Sequence, residues 1–244
     1  MDLRLDGKTA LITGSERGIG RAIALEFASA GAEVIIASLP KDETAIKNMG
    51  TLTGEIEKLG RKALVAPVDV SNEQSVKDLV AETEKIFPQI DILVNNAGTI
   101  ILPDNILETS VADFDRMIAV NLRSIFLVCQ NFIPPMIKRR WGRVINIASS
   151  AGLWGLPDRL SYCSSKFGAV GFTSALAIDM KPYNVAVNSI CPGAVDTPLT
   201  AYSKPDVDKS DWMQPEDIAN LALFLASDKA AAITGSNYKI MGWL

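Results

Sequence analysis

The chain has 244 residues, 48% of them apolar and 21% charged, with a net charge of −4. That balance suits a globular chain with room for one sizeable core, and its acidic excess offers no basic face for nucleic-acid phosphates. It contains no histidine and three cysteines far apart, which excludes a Ser-His-Asp triad and any zinc site built on imidazole.

The opening stretch "MDLRLDGKTALIT" lacks the apolar centre of a secretory signal. No apolar run is read as approaching the ~20 residues of a membrane helix, so no membrane partner is expected. The odd number of cysteines, Cys129, Cys163 and Cys191, reads as free thiols in a reducing compartment, the cytoplasm.

The first β-branched run, "TALIT" (9–13), leads into the glycine cluster "TGSERGIG" and a helix over 18–30. A second strand follows at "EVIIAS" (33–38). No regular element is assigned to 39–60. Strands are then expected at 62–68 and 91–96 with a helix over 72–86 between them. A long helix over 111–138, a strand at 143–149, a helix over 159–181 and a strand at 185–191 come next. The polar, proline-marked passage 205–219 reads as a surface loop leading into a helix over 215–227, and "GSNYKIM" (235–241) as a seventh strand. The strands are nearly continuous in apolar residues, as suits a sheet covered on both faces. Their alternation with helices predicts an α/β, Rossmann-like, doubly wound parallel sheet. With no linker, repeat or low-complexity tract, one domain over 1–244 is expected.

Gly14, Gly18 and Gly20 lie between the first strand and its helix. Glycines there permit a tight turn and close approach of a ligand, and the helix N-terminus offers N–H groups to a phosphate. An acid at the end of the second strand would bind a ribose 2′-hydroxyl and indicate NAD. Here the chain has Ser38 and Leu39 instead, with Arg17 and Lys41 as nearby cations. That combination favours NADP(H) over NAD(H). Asp69, in "VDV", would accept a bond from an adenine amino group, and Ala97 and Gly98, in "NNAG", would let a flat ligand lie against the backbone.

In "YCSSK" a tyrosine and a lysine stand at i and i+4, which brings Tyr162 and Lys166 to one face of a helix. A phenol with a pKa near ~10 is a poor base at neutral pH. A neighbouring ammonium would lower that value and make Tyr162 a general acid–base without histidine. Ser149, thirteen residues earlier, would hydrogen-bond the same substrate oxygen. Asn121, a polar residue in an apolar helix stripe, either satisfies backbone groups or positions water.

Taken in order, "KTALITGSERGIGRAIA", "NNAG", "VNLRSIF", "GRVINIASSAG", "YCSSKFGAV", "VNSICPGAVDTP" and "PEDIANLALFLAS" resemble the short-chain dehydrogenase/reductase family in its compact single-domain form. The resemblance implies a catalytic tetrad of Asn121, Ser149, Tyr162 and Lys166. In it Tyr162 exchanges a proton with the substrate oxygen, and Lys166 lowers the tyrosine pKa and holds the nicotinamide ribose. Ser149 orients the carbonyl, and Asn121 supports a water-linked relay. It further implies cofactor contacts from Gly14, Ser15, Arg17, Gly18, Ile19 and Gly20, from Ser38, Leu39, Asp69 and Val70, and from Asn95, Ala97 and Gly98. Tyr162, Lys166, Pro192, Gly193, Val195 and Thr197 complete that set, with Val195 and Thr197 on the nicotinamide carboxamide. A homodimer or homotetramer built through the helices at 111–138 and 159–181 is implied as well.

The chain differs from the family's pattern in a short 198–215 segment, a longer 39–60 stretch, and Met241 and Trp243 near a C-terminus where an acidic-glycine-glycine pattern is usual. Candidate substrate contacts are Ser149, Leu153, Trp154, Tyr162 and Ala194, with Ile100, Leu102 and Leu156 as further walls. These predict a partly hydrophobic small-molecule ketone or secondary alcohol. The competing readings are a catalytically silent dinucleotide-binding sensor or scaffold of the same fold, and an epimerase or dehydratase. An intact tetrad argues against the first, and the lack of a C-terminal substrate domain against the second.

Overall fold

The computed structural model describes residues 3–203, 208–210 and 212–242. β1 (Thr9–Thr13), α1 (Gly18–Ser29), β2 (Glu33–Ser38), α2 (Glu43–Lys58) and β3 (Ala63–Pro67) form the first half. α3 (Glu73–Thr83) crosses to β4 (Ile92–Asn95), followed by α4 (Val111–Ile118), α5 (Ser124–Arg139), β5 (Gly142–Ile147), α6 (Leu160–Met180) and β6 (Val185–Pro192). α7 (Pro198–Ser203), α8 (Pro215–Ala226) and β7 (Asn237–Ile240) complete the chain. All seven strands run parallel in the order β3-β2-β1-β4-β5-β6-β7.

The strands are apolar throughout because both faces are covered. On β1, Ala10 and Ile12 face a core shared with Ile23 and Phe27 of α1, Leu52 of α2 and Ile218 of α8. Leu11 points the other way, toward Leu79 of α3, Phe132 of α5 and Ala169 of α6. Alternate side chains on one strand thus serve opposite layers. The three cysteines are buried and free.

Two elements differ from the sequence expectation. The unassigned stretch 39–60 contains α2, whose N-terminus is capped by Asp42 through the Ala45 N–H at 2.7 Å. Its buried residues Ala45, Met49, Leu52 and Ile56 recur at helical spacing, a signal hidden by the polar residues between them. The long helix expected over 111–138 is interrupted by one π-helical turn, Ala119–Arg123, that holds Asn121. The whole run Val111–Arg139 is 29 residues and is long and apolar enough to cross a membrane by length and composition. This departs from the expectation that no apolar run approaches that length. Half of its apolar window is buried, and α5 supplies Val128 and Phe132 to the core beneath the sheet.

The chain winds outward from β1 to β3, then restarts at β4 on the other side of β1. The carboxyl ends of β1 and β4 therefore flank a crevice, the place where such sheets bind ligands.

Candidate active site

Gly14 leaves β1 at φ +63° and Gly18 opens α1 at φ +55°, a backbone region that suits glycine. The turn between them is laced to the loop after β4. The Thr13 hydroxyl accepts the N–H groups of Asn96 and Ala97 at 3.0 and 3.1 Å. The Asn96 amide in turn donates to the carbonyls of Thr13 and Gly14, both at 2.9 Å. A Cβ on Gly14 would lie 2.9 Å from Ala97 Cα, and one on Gly20 would collide with the Asn96 amide and the Gly14 carbonyl. The glycines are there because two loops and a helix start occupy the same small space.

This lacing forms the floor of a cleft of about 310 Å³ that runs from Ser38 and Leu39 past Gly14 and Glu16–Ile19 to Ser149, Tyr162 and Lys166. The N-cap residue of α1, Arg17, makes no side-chain cap bond, so the helix start presents N–H groups and positive dipole to the cleft. A long diphosphate ligand fits that donor set.

At one end, Ser38 is 1% exposed and its hydroxyl accepts the Ser15 N–H at 2.9 Å. The side chain braces the glycine turn from behind, while Leu39 and Lys41 carry the rim. Arg17 also lines the cleft, but its Nε lies 3.4 Å from Glu16 Oε1. Glu16 had not been singled out from sequence, and as a cleft-lining acid it offsets part of the positive charge read from Arg17. Asp69 lines the wall and accepts from Ser71 N–H and hydroxyl at 2.9 and 2.6 Å.

At the other end, Tyr162 and Lys166 come from the first two turns of α6, one helical turn apart as expected. Ser149 follows β5; its hydroxyl accepts the Ala151 N–H at 3.1 Å and acts on the nearby Tyr162 phenol, favouring the phenolate. Lys166 is 4% exposed, with its Nζ donating to the Ile147 carbonyl at 3.1 Å. Burial pulls its pKa down to about 8, against which the nearby Cys191 pushes up.

The tyrosine corrects an expectation. Its pKa is raised, not lowered: burial dominates, the Ser149 hydroxyl and the Arg159 charge pull the other way, and Cys163 adds to the rise. Lys166 Nζ sits 5.7 Å from the phenol ring centroid and is itself desolvated. Removing water from the phenolate therefore outweighs the groups that favour it, Ser149 and Arg159.

Val70, Ala97, Gly98, Pro192, Gly193, Val195 and Thr197 also line the cleft. Other expected residues stand behind it. Ser15 and Gly20 are buried in the turn, and Asn95 donates to Asn146 at 2.8 Å within the sheet. Asn121 is 1% exposed, and its amide brackets the Thr99 backbone, accepting from its N–H at 2.8 Å and donating to its carbonyl at 2.9 Å. These bonds are the first of the two roles open to it from sequence, satisfaction of backbone groups.

The proposed substrate contacts Leu153, Trp154 and Ala194 do not line the described cleft. Leu153 packs on the core, Trp154 lies under the Lys239 ammonium at 4.8 Å, and the Ala194 carbonyl accepts from Met213 N at 3.1 Å. Met241 packs behind Gly193, and Trp243 lies outside the described residues. Residues that sequence reasoning passed over, besides Glu16, include Thr99, Arg116 and Val120 on the cleft wall. Nothing in their local sequence marks them, since the wall is assembled from separate loops and helices.

A profile for the short chain dehydrogenases matches residues 8–208. The chain is 39% identical over 252 residues to the 3-oxoacyl-(acyl-carrier-protein) reductase FabG of Aquifex aeolicus, covering 99% of both. It is 38% identical over 256 residues to the D-beta-hydroxybutyrate dehydrogenase of Rhizobium meliloti, covering 96% of this chain and 97% of the relative. Among solved structures, a 7 alpha-hydroxysteroid dehydrogenase complexed with NADH and 7-oxo glycochenodeoxycholic acid superposes with a TM-score of 0.89 at 33% identity. That match covers 98% of this chain and 94% of the other.

Proposed function

Because the chain belongs to the short-chain dehydrogenase family, we propose that it moves a hydride between a nicotinamide dinucleotide and a carbon bearing a ketone or secondary alcohol, with Tyr162 as the general acid–base. The observation that carries this reading is the convergence of Ser149, Tyr162 and buried Lys166, its Nζ 5.7 Å from the phenol ring centroid, on the same cleft as the glycine turn. The dinucleotide, when bound, supplies the hydride in reduction and accepts it in oxidation.

The glycine turn and the α1 N-terminus would hold its pyrophosphate, Asp69 its adenine amino group, Lys166 its nicotinamide ribose, and Val195 and Thr197 its carboxamide. Ser149 orients the substrate oxygen. Tyr162, a phenol whose pKa is raised further by desolvation, donates to that oxygen on reduction, and the Lys166 ammonium stabilises the phenolate left behind. The relatives' names all point to a substrate of this kind: a 3-oxoacyl group, a hydroxybutyrate, a hydroxysteroid. A cytoplasmic enzyme acting on a small ketone or alcohol fits them.

NADP(H) is the favoured form, because Arg17 and Lys41 stand at the adenosine end and β2 ends without a carboxylate. The Glu16–Arg17 pair favours the alternative, NAD(H), since Glu16 would accept from a ribose hydroxyl and repel a phosphate. Titration with NADPH and NADH, followed through reduced-nicotinamide fluorescence, tests both. Tight binding of one form supports the assignment and justifies a carbonyl panel with it. Binding of neither overturns it in favour of a silent relative.

Homo-oligomerisation is part of the same reading. A groove between α5 and α6, lined by Phe126, Ile133, Phe172, Leu176 and Met180, opens on the surface, and Phe126 is exposed. Phe126→Glu should convert an assembled species to monomer in sedimentation velocity; an unchanged profile would place the interface elsewhere.

A further inference from the structure

Tyr162 sits in the first turn of a 21-residue helix whose N-cap residue, Arg159, makes no side-chain cap bond. The early N–H groups of such a helix need acceptors from elsewhere. They find them in Asp104, 57 residues upstream and 0% exposed. Its backbone carbonyl accepts the Leu160 N–H at 3.0 Å, Oδ1 accepts that of Ser161 at 2.8 Å, and Oδ2 accepts that of Tyr162 at 3.0 Å. The helix's own ladder starts one residue later, with Cys163 N–H on the Arg159 carbonyl at 2.7 Å. A single buried residue from another loop thus takes three successive N–H groups, the last belonging to the proton-transferring residue.

The other backbone group of Tyr162 is tied to the same loop. Its carbonyl accepts from the Ser165 hydroxyl at 2.7 Å, and that hydroxyl accepts from Asn121 Nδ2 at 3.1 Å. Asn121 also grips Thr99 through both backbone groups. The strap from Thr99 to Asp104 therefore holds Tyr162 by its N–H at one end and by its carbonyl, through Ser165 and Asn121, at the other. Thr99 lines the cleft, so the strap joins the ligand wall to the helix start.

Resting on the oxidoreductase reading above, we propose that Asp104 is a positioning residue for the reaction. It fixes the height and rotation of the first turn of α6 so that the Tyr162 hydroxyl meets that of Ser149. It touches neither substrate nor cofactor; its carboxylate is spent on the backbone. A bidentate acceptor suits this task because two neighbouring N–H groups fix a rotation, whereas a single bond fixes only a distance. Proton transfer depends on such placement, and a shift of about 1 Å can cost about 10²-fold in rate.

The test compares Asp104→Ala and Asp104→Asn with wild type. Asp104→Ala should lower kcat about 100-fold while the Kd for the reduced cofactor stays within a few-fold of wild type. Asp104→Asn, which keeps one acceptor oxygen, should recover part of kcat. A second readout is independent of substrate and of folding yield in the Ala variant. The chain has four tyrosines and no histidine, so ring-labelled tyrosine gives a simple carbon NMR spectrum in which Tyr162→Phe identifies the relevant signal. In Asp104→Asn that signal alone should move and change its titration midpoint, while those of Tyr183, Tyr202 and Tyr238 stay. An unmoved Tyr162 signal overturns the proposal, as does an unaltered kcat. So does a parallel loss of kcat and cofactor affinity, which would mark a merely structural residue. If no carbonyl is turned over by wild type, the oxidoreductase reading fails, and the NMR result still decides whether Asp104 places Tyr162.

Discussion

At the Tyr162 end of the cleft the lysine is sunk in the fold: Lys166 is 4% exposed, its ammonium rests on the Ile147 carbonyl, and desolvation shifts both titratable groups. At the Ser38 end the arrangement is inverted. The hydroxyl is buried and spoken for by Ser15, while the charges, Arg17 and Lys41, lie out toward water. Charge interactions weaken strongly with solvent exposure. A substitution at the first end should therefore act on the chemistry by orders of magnitude, and one at the second should tune preference by smaller factors.

The largest effect expected from this contrast is that of Tyr162→Phe, which removes the transferable proton. Turnover should fall roughly 10³-fold with cofactor titration unaltered, and a variant with wild-type kcat would remove Tyr162 from the mechanism. Gly20→Ala comes next, because its Cβ has no space between the Asn96 amide and the Gly14 carbonyl. Overpacking of this kind costs about 1–3 kcal/mol, so a lower melting temperature and weaker cofactor binding are expected together. Wild-type affinity would show that the two loops can part without loss.

The buried lysine gives a pH signature. Its pKa stands at about 8 in the fold against an ordinary 10.5. Between those values the unfolded chain holds more protons than the folded one, so this group's contribution to stability improves as pH rises through 8. The melting temperature of wild type should accordingly gain on that of Lys166→Met between about pH 7.5 and pH 9.5. A constant difference would mean that the ammonium is solvated after all.

The smallest effects belong to the adenosine end. Ser38→Asp should move the ratio of kcat/KM values toward NADH by about tenfold, equivalent to roughly 1.4 kcal/mol; no movement would take the 2′-phosphate away from this corner. Arg17→Ala should weaken NADPH binding only a few-fold and more at low salt than at high. Because Arg17 is paired with Glu16, Glu16→Gln should have the opposite sign.

The same contrast separates what could be read in the sequence from what could not. Tyr162 and Lys166 lie on one helix, and their shared face follows from the i, i+4 spacing alone. The glycine turn is equally local, lying between a strand and its helix. Glu16 was passed over although it stands inside that same turn, because its ion pair and its place on the cleft wall depend on how the turn is folded. Asp104 went unmarked because its partners are 57 and 58 residues away. The α2 helix was missed for a different reason: Ala45, Met49, Leu52 and Ile56 do keep helical spacing, but charged and polar neighbours dilute it.

By itself, then, the sequence determined the β/α alternation, the parallel doubly wound class, the glycine turn and the tyrosine–lysine register. All of these depend on period, spacing and backbone freedom over a few residues. The tertiary structure decided the direction of the Tyr162 shift, the engagement of Ser38 and Asn121 with backbone groups, and the identity of the residue that anchors the start of α6. Those depend on burial and on contacts between segments far apart in the chain, and the desolvation of a phenol or the partner of a carboxylate exists only once the sheet has brought them together.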